Sequence, residues 1–137
     1  MNIAKKVNIG AKIFIGISAL SLLSVSLMAF GNPQSVMDLV QVKLNNTDAY
    51  SSIRGMYGGA GMCIVLHLVY LFFKNTKMAL GFLCMLWGFY ALSRTITIFN
   101  EGPLGSFGSQ WIVIESILFI IALSLLLTVN YLQKNEQ

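Results

Sequence analysis

The sequence predicts an all-α integral membrane protein, a four-helix bundle with both termini in the cytoplasm. Of its 137 residues, 56% are hydrophobic and only 10% are charged, whereas soluble domains carry about 25% charged residues. Four apolar stretches also reach the roughly 20 residues that an α-helix needs to cross a bilayer. At this length a single domain, residues 1–137, is expected.

The four predicted helices cover about residues 13–30, 53–73, 78–99 and 111–131. Each is bounded by polar or turn-forming residues: GNPQ, KNTK, NEGPLGSFGSQ and QKNEQ. Lysines precede the first stretch, as in a signal peptide, but its apolar core is longer than the about 7–15 residues typical of such a signal. A retained first helix is therefore expected.

The segment between the first two helices, GNPQSVMDLVQVKLNNTDAYS, is long and partly apolar. Its apolar residues could form a short helix on the membrane surface or over the end of the bundle. They alternate too imperfectly to distinguish a helix from a strand. The conformation of this first outer loop, residues 31–50, therefore stays open here.

Lysines predict the orientation of the chain. Those on one side of the four crossings are Lys5, Lys6, Lys12, Lys74, Lys77 and Lys134. In the loops on the other side, Lys43 is the single lysine. Because Lys and Arg are enriched in cytoplasmic loops, both termini are expected in the cytoplasm.

Composition and spacing argue against several kinds of site. The net charge of +4 comes from cations too few and scattered for a nucleic-acid-binding stripe. Cys63 and Cys84 lack a metal-binding or disulfide spacing and are interpreted as buried free thiols. His67, the sole histidine, is interpreted as hydrogen-bonded to a neighbouring helix or as part of a proton relay. No metal, cofactor or nucleic acid is expected.

Ionisable residues lie near the same end of three predicted helices. Arg54 is in the first turn of the second, and Arg94 precedes Asn100 by six residues, roughly 9 Å along a helix. Glu115 follows Trp111 by four residues, roughly 6 Å. Since an unpaired charge in hydrocarbon costs about 2.5–3.5 kcal/mol, Arg54, Arg94 and Glu115 are expected to face inward and meet.

This predicted cluster has two interpretations. It could be an ion-paired staple between helices, or an outward-facing polar pocket for an anion such as a carboxylate or phosphate. Glu101 would share the face of Arg94 if the third helix continued through it. Trp87 and Tyr90 lie on the same helix face as Arg94, where they are interpreted either as core residues or as the lining of a cavity. The predicted ligand-binding residues are Arg54, Arg94, Glu115, Glu101, Tyr57, Tyr90 and Trp87.

Glycines surround Arg54 in the stretch RGMYGGAG. The predicted helix-packing residues are Gly55, Gly58, Gly59 and Gly61. Gly55 and Gly59 form a G-x-x-x-G pair, and small residues let a neighbouring helix approach closely. Alternatively, the flat surface leaves space for a ligand above Arg54. A phosphate-binding loop is excluded, because no strand precedes the glycines and no Gly-Lys-Ser/Thr follows them.

These residues also carry a resemblance. SIRGMYGGAG opens the second helix, ALSRTITIFNEGPLG closes the third, and a glutamate occurs early in the fourth. In these features the chain resembles a family of small bacterial four-helix membrane proteins classed as a domain of unknown function. The matching positions are Arg54, Gly58, Gly59, Arg94, Gly102, Pro103 and Glu115. In layout the chain is also loosely similar to DoxX-like proteins, an analogy of fold alone.

The resemblance implies the four-helix layout, a bacterial inner membrane, and a shared role for Arg54, Arg94 and Glu115, but no activity. Four hypotheses stay open. The favoured one is a small binding or accessory protein that holds a lipid or amphiphilic anion. Two others are a membrane enzyme using Glu115 as acid or base and a purely structural subunit. Proton- or ion-coupled transport is less favoured, because four helices without repeats would have to oligomerise to form a transport path. Membrane lipids and a second copy or another membrane protein are the expected partners.

Overall fold

The computed structural model describes residues 3–135. Its α-helices are α1 (Ile3–Gly31), α2 (Pro33–Asp38), α3 (Thr47–Ile53), α4 (Gly61–Lys74), α5 (Thr76–Asn100) and α6 (Ser106–Lys134). A π-helical segment, Arg54–Ala60, joins α3 to α4. No described residue belongs to a β-strand, so the prediction of an all-α fold is confirmed.

Four helices are long and apolar enough to cross a membrane: Ile3–Gly31, Thr47–Lys74, Thr76–Asn100 and Ser106–Lys134. Each contains one predicted helix and extends beyond it at both ends. Apolarity marks only the part that lipid would cover, whereas backbone hydrogen bonding continues into the polar ends. The four membrane-length helices are therefore confirmed, and the orientation of the termini stays a prediction.

Asparagines determine where three helices begin. Asn32, Asn46 and Asn75 precede α2, α3 and α5, and each side-chain oxygen accepts a hydrogen bond from a first-turn backbone N–H at 2.8–3.1 Å. Asn suits this position because its oxygen satisfies an N–H group that has no partner within the helix. The polar residues that bound the apolar stretches in the sequence thus act as helix caps.

The chain divides into two compact units. One comprises Gly16–Tyr70, and the other comprises the described residues before Gly16 together with those after Tyr70. Helices α1 and α4 each contribute residues to both units. The prediction of a single domain stays a prediction.

In the Gly16–Tyr70 unit, the first outer loop folds onto the end of α1. Ala29 of α1 and Val36 and Met37 of α2 form a buried apolar cluster, against which Leu44 and Ile53 pack. Of the two conformations left open for this loop, a helix or a strand, the structure shows a helix over Pro33–Asp38. Residues 39–46 form turns and irregular structure rather than a strand.

Gln34 organises the remainder of that loop. Its Nε2 donates hydrogen bonds to Asp38 Oδ1 at 2.7 Å and to the Val42 carbonyl at 2.9 Å, and its Oε1 accepts one from the Leu44 N–H at 2.9 Å. Gln41 has a φ of 59°, a left-handed conformation that turns the chain after α2. One side chain thus joins three points of the loop.

In the other unit, α5 and α6 pack along each other. The buried side chains of α5 are Ala79, Leu80, Leu83 and Trp87. A Cβ added at Gly88 would lie 3.1 Å from the Phe119 ring, so α6 comes close to α5 there. Near the start of α1, Lys12 Nζ lies 5.3 Å from the centre of the Phe72 ring, within range of a cation–π interaction.

Few residues of the long helices are fully buried within the described chain. In the most apolar 18-residue part of each helix, only 11–28% of residues are buried. Exposed apolar surface of this extent is typical of sites that contact a membrane or another protein. Cys63 lies on this outward surface and Cys84 is half-buried, both as free thiols. The prediction of a buried thiol is therefore wrong for Cys63, which faces away from the core of the chain.

Candidate functional site

An ion pair joins α5 to α6. Arg94 Nε donates a hydrogen bond to Glu115 Oε2 at 2.6 Å, and Arg94 Nη2 donates one to Glu115 Oε1 at 2.9 Å. Both carboxylate oxygens thus bind the same guanidinium group, in the two-bond geometry that suits its planar fork. The Glu115 side chain is 3% exposed and that of Arg94 is 20% exposed. The contact predicted between these two residues is present and largely buried.

The short connection after α5 brings the two side chains together. Arg94 lies six residues before the end of α5, and the chain reverses over residues 101–105. Helix α6 begins at Ser106, five residues before the predicted start at Trp111, so Glu115 lies nine residues into it. That position is roughly 14 Å along the helix axis. The side chains meet because short loops place consecutive helices antiparallel and adjacent.

Phe107 covers the ion pair from the added first turn of α6. The centre of its ring lies 5.8 Å from Arg94 Cζ and 5.9 Å from the ring centre of Trp111. A guanidinium packs favourably against an aromatic face. Phe107 is not among the predicted site residues, because the sequence places it in the segment NEGPLGSFGSQ between two predicted helices. The aromatic pair Phe107 and Trp111, spaced by four, was the signal for an additional helical turn.

Trp87 and Tyr90 lie in different surroundings despite their shared helix. Trp87 is 4% exposed, and its Nε1 has no hydrogen-bond partner among the described residues. Tyr90 is 39% exposed and lines a shallow groove of about 480 Å³ formed by α5 alone. Their ring centres are 6.1 Å apart. Trp87 is thus a core residue, and the predicted ligand-binding role of both stays a prediction.

Glu101 lies just beyond α5. Its backbone N–H donates a hydrogen bond to the Thr97 carbonyl at 2.8 Å, and its side chain is exposed. Because α5 ends at Asn100, the condition under which Glu101 would share the face of Arg94 is not met. Tyr57 is 37% exposed. Ligand binding by Glu101 and Tyr57 stays a prediction.

Arg54 caps the end of α1. Its Nε donates a hydrogen bond to the Phe30 carbonyl at 3.1 Å, in the last turn of α1, where carbonyl groups lack partners within the helix. A cation also interacts favourably with the negative end of the helix dipole. Arg54 belongs to the Gly16–Tyr70 unit, whereas Arg94 and Glu115 belong to the other. The predicted meeting of all three therefore stays a prediction.

Two of the four predicted packing glycines approach α1 closely. A Cβ added at Gly58 would lie 3.0–3.1 Å from the ring of Phe30, and one added at Gly61 would collide with the hydroxyl of Ser26. Gly58 is buried and Gly61 is half-buried. The absence of a side chain at these two positions therefore allows the helices to come together.

The glycine-rich stretch adopts a π-helix over seven residues, Arg54–Ala60, which the sequence analysis did not anticipate. This conformation is rare and has wider turns than an α-helix. A Cβ added at Gly55 or Gly59 would meet no described atom within 4 Å beyond the backbone of its own helix. The G-x-x-x-G pair therefore has no close packing neighbour within the described chain. The density of glycines was the available signal for irregular helical geometry.

The described residues contain no group of three His, Cys, Asp or Glu side chains positioned to hold a metal ion. His67 lies on the exposed surface of α4. The acidic residues of the first outer loop, Asp38 and Asp48, are exposed. The Arg94–Glu115 ion pair is accordingly the best-formed candidate site.

Comparison with known proteins assigns a family. Residues 10–126 match the family described as domain of unknown function DUF4345. The chain belongs to the DUF4345 family. The matched DUF4345 region includes most of all four long helices and both members of the ion pair. No curated protein and no solved structure gives a significant match.

Membership of DUF4345 confirms the resemblance to a family of unknown function. The description of DUF4345 assigns no specific role, in agreement with the prediction of an unspecified role. A bacterial origin and a likeness to DoxX-like proteins stay predictions.

Proposed function

We propose that this DUF4345 protein is a structural or accessory component of a membrane, in which the Arg94–Glu115 ion pair is an internal staple between α5 and α6. The two-bond contact carries the proposal, since both oxygens of a carboxylate that is 3% exposed bind one guanidinium. In this arrangement the two charges neutralise each other within the protein.

The same geometry gives less support to a ligand-binding pocket. An arginine that holds a phosphate or carboxylate ligand presents its fork to that ligand, whereas Arg94 presents Nε and Nη2 to Glu115. An enzyme that used Glu115 as acid or base would require the carboxylate within hydrogen-bond reach of a substrate. The burial and pairing of Glu115 oppose such access unless the ion pair first opens.

The energetics of charges in an apolar environment favour the staple. An unpaired charge at the centre of a membrane helix costs about 2.5–3.5 kcal/mol. Removing one partner of a buried ion pair typically destabilises a protein by about 3–5 kcal/mol, whereas replacing both partners can be nearly neutral. Each member of the ion pair therefore stabilises the fold only while the other is present.

The proposal includes the cellular setting. The protein lies in the inner membrane of a bacterium with both termini in the cytoplasm, and its partners are membrane lipids and a second copy or another membrane protein. The lysine distribution supports the orientation. The outward-facing apolar surface of the long helices supports contact with lipid or protein.

A double-mutant cycle tests the staple. Arg94→Gln, Glu115→Gln and the double variant are purified in detergent micelles, and the free energy of unfolding is measured for each. We expect each single change to lower it by about 3–5 kcal/mol and the double change to lower it by clearly less than the sum. Glu101→Gln is the matched control, because that carboxylate is exposed near the same end of α5; its effect should stay within about 0.5 kcal/mol.

Two other results would support the rival hypotheses. If the single variants keep the wild-type free energy of unfolding but lose co-purified lipid, Arg94 and Glu115 form a ligand site and the staple is refuted. If Glu115→Gln folds and binds a membrane-soluble substrate but fails to convert that substrate, the enzyme hypothesis replaces the staple.

A further inference from the structure

A second polar site lies far along the chain from the ion pair, at the opposite ends of α5 and α6. A cleft of about 440 Å³ is bordered by the start of α1, the turn from α4 to α5, and the end of α6. Its polar wall includes Lys74, Lys77, Asn8 and Gln133. We refer to it as the lysine cleft. Its volume lies within the about 300–1,000 Å³ typical of small-molecule sites.

The polar residues that line the lysine cleft do not pair among themselves. No described residue forms an ion pair or a side-chain hydrogen bond with Lys74, Lys77, Asn8 or Gln133. The lining contains two cations and no carboxylate. Several hydrogen-bond donors and two positive charges are therefore available to a single bound group.

The charge distribution of the chain favours an anion here. The carboxylates among the described residues are Asp38, Asp48, Glu101 and Glu115. Asp38 ends α2, Asp48 lies in the first turn of α3, Glu101 follows α5, and Glu115 lies in α6 well before the cleft residues. None of them lines the cleft. Glu136 lies outside the described residues. The two cleft lysines thus lack an internal carboxylate partner within the described chain.

The remaining wall of the cleft indicates the class of anion. Val7, Val129 and Leu132 provide apolar surface beside the lysines, and the cleft lies at the ends of helices long enough to cross a membrane. A free inorganic ion would gain nothing from apolar contacts, whereas a phospholipid places a phosphate beside its acyl chains. Basic pockets between membrane helices are known to bind such headgroups.

We infer that the lysine cleft binds the phosphate-bearing headgroup of an anionic membrane lipid. Lys74 and Lys77 contact the phosphate, the amides of Asn8 and Gln133 donate hydrogen bonds to headgroup oxygens, and the apolar wall covers the first part of an acyl chain. This site is separate from the Arg94–Glu115 ion pair and does not depend on the staple.

Lipid-binding measurements with the full-length protein test the inference. The purified protein in neutral detergent is titrated with phosphatidylglycerol or phosphatidylcholine, and bound lipid is counted by native mass spectrometry. We expect a preference for phosphatidylglycerol that weakens about thirtyfold in the Lys74→Gln, Lys77→Gln double variant, the loss expected for two lysines at a membrane surface. Both lysines are exposed, so the variant should retain its fold. Far-ultraviolet circular dichroism, which measures helix content, checks this.

A matched double variant separates a built site from general surface charge. Lys5 and Lys6 are exposed cations of the same region that do not line the cleft. Lys5→Gln with Lys6→Gln removes the same charge and should leave the preference nearly unchanged. An equal loss in both double variants would overturn the inference in favour of non-specific attraction.

A variant that fills the cleft tests its shape. Ala4 is a half-buried lining residue, and Ala4→Phe keeps every lysine while occupying the space. We expect it to abolish the preference for phosphatidylglycerol; full retention would overturn the inference. In a parallel titration, inorganic phosphate should neither bind comparably nor displace the lipid, and displacement at similar concentration would refute a lipid headgroup as the ligand.

Discussion

At the residue scale, the contact between α4 and α1 at Gly61 depends on the absence of a side chain. A Cβ at Gly61 would collide with the hydroxyl of Ser26. Ser26 is 1% exposed, and its hydroxyl donates a hydrogen bond to the Leu22 carbonyl at 3.0 Å. The hydroxyl therefore has little room to move, and moving it would break that hydrogen bond.

We expect Gly61→Ala to lower the free energy of unfolding by about 1–3 kcal/mol, the usual effect of overpacking. Unfolding in detergent micelles measures the change. Gly59→Ala is the matched control, since its Cβ would meet no described atom within 4 Å. It should leave stability unchanged or raise it by up to about 1 kcal/mol through higher helix propensity.

A second substitution tests the cause of the effect. Without the Ser26 hydroxyl, the nearest atom to the new Cβ is Ser26 Cβ at 3.4 Å, an ordinary contact. Ser26→Ala should therefore restore much of the stability lost in Gly61→Ala. Equal stability of Gly61→Ala and Gly59→Ala, or no rescue, would contradict the packing explanation.

At the scale of elements, the first outer loop is held by a polar side chain as well as by its apolar cluster. Gln34 connects α2 to Val42 and Leu44 through hydrogen bonds of 2.9 Å. The apolar cluster around Ala29, Val36 and Met37 anchors α2, and within the irregular part after Asp38 it is contacted by Leu44. Without Gln34, that part should open independently of the helices.

We expect Gln34→Ala to accelerate hydrogen exchange of the Leu44 amide roughly tenfold, because the amide loses its hydrogen-bond acceptor. The helical amides of α5 and α6 should keep their exchange rates. Lys43→Ala in the same loop is the control, since this exposed residue takes part in none of the Gln34 hydrogen bonds. An unchanged rate at Leu44 in Gln34→Ala would show that other contacts hold the loop.

At the scale of the whole molecule, we predict that both ends of the chain lie on the same side of a membrane, since four crossings return a chain to the side on which it began. Four helices have the required length and apolarity. In this predicted topology, six of the seven lysines belong to the side of the termini and Lys43 belongs to the other side. The positive-inside rule then predicts cytoplasmic termini.

Reporter fusions check this topology. Alkaline phosphatase, which is active outside the cytoplasm, should be inactive when fused to the C-terminus and active when fused after Lys43. A cytoplasmic fluorescent reporter should give the opposite pattern. Activity of alkaline phosphatase at the C-terminus would contradict the predicted orientation.

The sequence by itself determined the helix content, the four membrane-length helices and the family. These follow from hydropathy, from backbone hydrogen bonding within each helix, and from short motifs, all of which are local along the chain. The same local evidence indicated that Arg94 and Glu115 lie near one end of consecutive helices. Helix boundaries were less well predicted, because capping asparagines and polar first turns carry no strong apolar signal.

The tertiary structure decided which groups actually meet. The two-bond contact of Arg94 with Glu115 depends on the rotation of α5 against α6, which pattern alone does not specify. The extra turn of α6 brings Phe107 over Arg94. Gly58, in the π-helical segment, and Gly61, just after it, approach α1 closely. Contacts between different helices depend on how the helices pack against one another, which local sequence patterns do not specify.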